Sequence, residues 1–123
     1  MMIKSPKNKD CTRAFSDKQE KDVCNLLKAQ QQSNSGAGKF NKGDVVQVEA
    51  NMLIECKTAT TNKESFSIKK EWIEKNKNEG FSKRLSNHAI AFNFGPDSKE
   101  NYFVINSRLM QFLVEKLIEE NNN

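Results

Sequence analysis

The stretch "GDVVQVEANMLIECKT", residues 43–58, decides how this chain is read. Two runs rich in Val, Ile, Leu and Met flank a tight "AN" turn, which is the pattern of a β-hairpin with arms Val45–Glu49 and Met52–Thr58. A strand turns successive side chains to opposite faces, so Met52, Ile54 and Cys56 form one apolar face and Leu53, Glu55 and Lys57 the other. Glu55 and Lys57 are therefore neighbours by construction, and Asp44 stands where the first arm begins. On a strand with one face in water this would be an exposed ion pair and a turn residue. The residues around the hairpin decide whether it is more.

Upstream, "SDKQEKDVCNLLKA" predicts a helix over about 17–29, with Ser16 as N-cap and Gln19 three residues later closing a capping box. Its apolar face is Val23, Cys24 and Leu27, with Leu26 at the margin, and helical spacing puts Glu20 on that face. An acid there snorkels at a helix end or points into a cleft. Between helix and hairpin, residues 30–35 form a short strand or a loop, and the Gly-rich "SGAGKFNKG" lets a turn pass close to backbone or phosphate. It is not a Walker loop, since no GKS or GKT follows. Ser33 and Ser35 in this segment either touch DNA phosphate or satisfy a turn, and Lys39 and Lys42 are candidate DNA contacts.

Downstream, "SIKKEWIEKNKNEG" predicts a helix from Ser67 to about Glu79 with Gly80 as its stop and Ile68, Trp72 and Ile73 buried. Lys69 and Lys70 lie on its other faces as candidate DNA contacts. "HAIAFNF" and "NYFVI" predict two strands around a "GPDSKE" turn. "SRLMQFLVEKLIEE" predicts a last amphipathic helix whose apolar face, Leu109, Met110, Phe112, Leu113, Val114, Leu117 and Ile118, is too wide for one packing stripe. Residues 107–119 are thus expected to support the fold or to bury against a second copy. His88 and Trp72 read as structural.

At 123 residues, with 36% apolar and 29% charged, the chain suits one small α/β domain, 16–120, behind a loose basic arm, 1–15. Neither a membrane-spanning run nor a signal peptide is visible, so the expected location is cytoplasmic, with no membrane partner. Three cysteines without CxxC spacing suggest neither a disulfide framework nor zinc; two are expected to be buried thiols. The net charge is +4, and it is segregated. Residues 1–21 hold six basic against three acidic residues and residues 57–84 eight against four, leaving the remainder slightly acidic. A polyanionic partner would explain this, although solvated lysines are common.

Glu20, Asp44 and Glu55 converging on one point would repel unless a cation lay between them, and hard carboxylate oxygens without a His/Cys cluster favour Mg2+ or Mn2+. Lys57 beside them would hold the attacking water and balance charge on a phosphate. On "KGDV" followed ten residues after Asp44 by "ECK", with Glu20, the "SGAG" loop and the following basic helix, the chain resembles the PD-(D/E)xK nuclease superfamily, in its Holliday-junction-resolvase branch of archaeal and phage type. The resemblance covers about residues 16–105. It implies a restriction-endonuclease-like core, a central mixed β-sheet flanked by helices in the order α-β-β-β-α-β-β-α. It also implies a Mg2+ site made by Asp44, Glu55 and the Cys56 carbonyl, completed by Glu20, with Lys57 orienting the water. The implied activity is cleavage of branched double-stranded DNA at four-way junctions, leaving 5′-phosphate and 3′-hydroxyl ends, by a homodimer. Gly43 stands where the motif has proline. A nicking or repair endonuclease of this fold and a non-catalytic nucleic-acid-binding protein are the alternatives; clustered acids beside a phosphate speak against the latter.

Overall fold

No glycine or proline interrupts residues 9–27, and helix α1 takes the whole span, Lys9–Leu27. The computed structural model describes residues 9–32 and 43–123. Helix α1 starts well before the expected Ser16, so Ser16 and Gln19 are interior positions rather than a capping box, and residues 9–15 of the expected arm are helical. The helix stops at Lys28, which takes the left-handed φ of 57° while Ala29 N donates to Cys24 O at 2.9 Å. That is the six-to-one closure usually given to glycine.

Five strands follow in sheet order β1-β2-β3-β4-β5: β1 Gln30–Gln31, β2 Asp44–Gln47, β3 Met52–Lys57, β4 Asn87–Phe92 and β5 Tyr102–Val104. The pairs are antiparallel except β3–β4, which is parallel, so the sheet is mixed. The hairpin is shorter than expected: β2 ends at Gln47, and the turn is Val48–Asn51, closed by Asn51 N donating to Val48 O at 3.0 Å with Asn51 at φ 54°. The parallel β3–β4 pair needs a crossover, and helix α2, Lys70–Ser82, supplies it. Helix α3, Ser107–Asn121, ends the described chain. The element order is α-β-β-β-α-β-β-α, an α/β fold with helices flanking the sheet.

Both sheet faces are covered, as expected of a sheet containing a parallel pair. On one, Val23 of α1 packs with Val45, Ile54, Ala89 and Ala91, joined by Cys24, Leu27, Cys56 and Phe103. On the other, Leu53 and Ile90 are buried beneath α2. Gly80 is not the stop of α2 but a buried interior position: a Cβ there would stand 3.2 Å from Leu85 O and 3.7 Å from Leu53 Cβ. The helix ends two residues later, at Ser82, and beyond it Arg84 adopts φ 64° while Leu85 N donates to Gly80 O at 2.7 Å. Ile68, Trp72 and Ile73 are half-buried, and the fully buried side chain of α2 is instead Asn76, whose amide finds no hydrogen-bond partner among the described residues. Cys24 and Cys56 are free thiols, half-buried rather than buried. Among the described residues, no helix is long and apolar enough to cross a membrane.

Candidate active site

Register brings the acids of the hairpin together. Asp44 on β2 pairs directly with Glu55 on β3, and directly opposed residues of an antiparallel pair project from the same face. Asp44 is 1% exposed. Two residues along β3 on that face, Lys57 Nζ lies 3.0 Å from Glu55 Oε2, with the Glu55 side chain 15% and the Lys57 side chain 31% exposed. The pair is therefore set into the surface, not displayed on it. In β4 the same rows continue with Ile90 beside Glu55 and Phe92 beside Lys57, which gives the acids an apolar flank.

Glu20 reaches the same end of the sheet from α1. It is 6% exposed, and Gln31 Nε2 donates to its Oε1 at 3.0 Å. Gly43, at φ 95°, marks the meeting point: a Cβ on it would lie 3.5 Å from the Cys56 carbonyl oxygen and 3.9 Å from Glu20 Oε2. Cys56 N donates to Gly43 O at 2.9 Å, locking the segment before β2 onto β3. Proline, held near φ −65°, cannot adopt the Gly43 conformation.

The carboxylates of Glu20, Asp44 and Glu55 all act on the Cys56 thiol. The Cys56 thiol is pushed far above its ordinary value, first by burial and then by the negative charge of Glu20, with Cys24, Asp44 and Glu55 adding to it. Cys24 is raised as well, by burial and then by Glu20. Both thiols are thereby favoured in their protonated form.

Among the described residues, no group of three or more His, Cys, Asp or Glu side chains stands close enough together to hold a metal ion. The local donors are two opposed carboxylates and a main-chain carbonyl, with Glu20 across Gly43. An all-oxygen set of this kind fits a hard cation such as Mg2+, which takes one or two carboxylates and keeps several waters. Zinc would want His or Cys ligands, and the Cys56 thiol is held protonated.

Three supporting residues escape a reading of the sequence. Gln19, 2% exposed, uses its Nε2 to donate to Lys57 O at 2.8 Å, Ala91 O at 3.3 Å and Asn101 Oδ1 at 3.0 Å, fixing the strand ends beneath the lysine. Gln31 fixes Glu20. Trp72, expected as core, offers its ring face to Lys57 Nζ, 4.5 Å from the centroid, and Phe66 packs beside it at 6.2 Å. A Gln one residue before an inward acid and an aromatic two residues after basic positions were the available signals, and neither is specific.

Of the expected DNA contacts, Lys69 lies near the site, with Nζ 5.8 Å from the Trp72 centroid. Lys70 pairs with Glu74 at 3.8 Å in solvent. Ser33, Ser35, Lys39 and Lys42 lie outside the described residues. His88 is half-buried and its imidazole is held below the ordinary value by burial, then by Lys77 and Arg108, which suits a structural role. Compared with family models, curated proteins and solved structures, the chain finds no match in any of the three.

Proposed function

We propose that the protein is a Mg2+-dependent, structure-selective DNA endonuclease that cuts branched duplex DNA, with the four-way junction as its preferred substrate. The observation that carries the reading is the Asp44–Glu55 pairing with Lys57 held on Glu55 and the Cys56 carbonyl facing Glu20 across Gly43. The resemblance of "KGDV…ECK" to PD-(D/E)xK nucleases supports it from the sequence side.

In this reading Asp44, Glu55 and the Cys56 carbonyl would hold Mg2+, with Glu20 behind them. Bound there, Mg2+ supplies positive charge against the scissile phosphate and favours the deprotonated form of a nearby water. Lys57 donates a hydrogen bond to the attacking water oxygen or to the phosphate as negative charge grows on it. The water gives up one proton to solvent as its oxygen bonds to phosphorus, the bond from phosphorus to the 3′ oxygen breaks, and that oxygen takes a proton from solvent and leaves as the 3′-hydroxyl. Gln19 and Trp72 keep the Lys57 backbone and ammonium in place. The basic segments 1–21 and 57–84 neutralise neighbouring phosphates. Resolving a junction takes two symmetric cuts, which calls for two sites in a twofold homodimer.

Labelled four-way junction, nicked duplex and linear duplex, each with Mg2+ or EDTA, test this reading. Junction cleavage in Mg2+ alone is expected, lost by more than about a hundredfold in Asp44→Asn and Glu55→Gln while junction binding persists. Equal cutting of all three substrates would leave a general nuclease, cutting of the nicked duplex alone a nicking or repair enzyme. Binding without cutting under any metal would leave a nucleic-acid-binding protein.

A further inference from the structure

Helix α3 barely touches the domain that carries it. Leu109 is its one buried residue, and Asn106 caps it by accepting from Leu109 N at 2.9 Å. Beyond that first turn the apolar side chains stand in solvent: Met110 is 54% exposed, Leu113 42%, Val114 40%, Leu117 61%, Ile118 54% and Phe112 51%. At 100° per residue the apolar positions sweep about two thirds of the helix circumference, well beyond the single stripe that seats a helix on its own sheet. Within that sweep Met110, Leu113, Val114 and Leu117 follow the i, i+3, i+4, i+7 spacing of a helix–helix seam, and the seam is centred about a quarter-turn from Leu109, the foot of the helix.

We infer that α3 is the contact between two copies of this chain, packed antiparallel through Met110, Leu113, Val114 and Leu117. A second copy, rather than another partner, is favoured because the helix is self-complementary when reversed. A twofold axis between Leu113 and Val114 sets Met110 opposite Leu117 and Leu113 opposite Val114. The same operation sets Arg108, the one basic residue in the first turn, opposite Glu119 and beside Glu120 at the far end. A parallel pairing would put Arg108 against Arg108 and the glutamates against each other. Antiparallel helices also bring opposite ends of their dipoles together. The seam and its flanks would bury on the order of 1,000 Å2 in total, near the lower limit for a specific interface, so the dimer should dissociate on dilution. Its use in junction cleavage rests on the proposed function, but the contact itself does not.

Sedimentation velocity of the full chain from about 1 to 100 µM, without DNA or metal, tests the inference. Wild type is expected to pass from monomer to dimer in this range. Leu113→Glu with Leu117→Glu should be monomeric throughout, with unchanged circular dichroism. Arg108→Glu should weaken the dimer about tenfold, and adding Glu119→Arg and Glu120→Arg should restore it. A wild type that stays monomeric, a Leu113/Leu117 variant that still dimerises, or one that unfolds each overturns the inference. Failure of the charge reversal to restore association overturns the antiparallel arrangement. A wild type that dimerises through α3 but cuts no DNA leaves this inference standing and sinks the nuclease reading alone.

Discussion

Removing the ring beneath Lys57 should cost stability and, in the nuclease reading, catalysis. Lys57 Nζ sits 4.5 Å from the Trp72 centroid and 3.0 Å from Glu55 Oε2, with the lysine side chain 31% exposed. A cation over an aromatic face contributes roughly 0.5–1 kcal/mol in water and about 2 when desolvated, so this partly screened pair should contribute about 1 kcal/mol. A cycle of wild type, Lys57→Met, Trp72→Leu and the double variant, unfolded in urea, isolates that contribution. Leaving Glu55 without its cation affects both Lys57→Met proteins equally and cancels. Trp72 is the sole tryptophan, so the native emission of Lys57→Met should also differ from wild type. Single-turnover cleavage by Trp72→Leu should fall about fivefold with junction affinity held within about twofold, since about 1 kcal/mol of transition-state stabilisation is roughly a factor of five. A coupling energy below about 0.5 kcal/mol, within the additivity of unrelated sites, would refute the claim that the ring holds the ammonium.

Junction affinity should drop on the order of a thousandfold between about 50 and 200 mM salt if six to ten phosphates are engaged; a flat response would leave the basic segments as solvated surface. His88 is favoured neutral in the fold, so below its ordinary value of 6.5 the unfolded chain takes up a proton that the folded chain resists. Stability should hold above that pH and fall on acidification below it, more steeply in wild type than in His88→Gln, and parallel melting curves for the two would exclude the effect. Gly43→Ala places a side chain at φ 95°, a cost of about 1–3 kcal/mol, with its Cβ at ordinary contact distance from Cys56 O and Glu20 Oε2. Its melting temperature should fall by several degrees, and Gly43→Pro should be worse; an unchanged Gly43→Ala would mean that the backbone relaxes freely.

Period two is a local signal, which is why β3 and the pairing of Glu55 with Lys57 were legible in residues 43–58. The inward position of Glu20 followed in the same way from helical spacing. Helix boundaries were less legible. Ser16 and Gln19 match a capping box, yet the same spacing sits inside α1, where nothing from Lys9 onward breaks the helix. Gly80 looks like a stop, but close packing on Leu53 uses its missing side chain and leaves termination to Arg84. Local chemistry could not show that Gln19 grips Lys57 O, a contact spanning 38 residues, because only the fold brings the two together. The width of the apolar face on α3 was legible, whereas its separation from the domain was not, since composition does not distinguish a helix lying on a sheet from one standing clear of it.

The location of the site follows from one topological choice. Because β3 and β4 run parallel, the chain leaving β3 at Lys57 must cross over before it can pair again, and the connection 58–69 brings the first turn of α2 back near the end of β3. That is why Trp72, fifteen positions beyond Lys57 in the chain, covers it. Antiparallel β2 starts at the same end, so Asp44 arrives opposite Glu55 with Gly43 just outside the sheet. The register fixes the rest: a slip of one residue in β3 would turn Glu55 and Lys57 into the packed face of Ile54 and Cys56, beneath α1. Burial of Leu53 and Ile54 on opposite faces penalises that slip in both directions, so the core that stabilises the sheet also holds acid, carbonyl and lysine in alternation at its end.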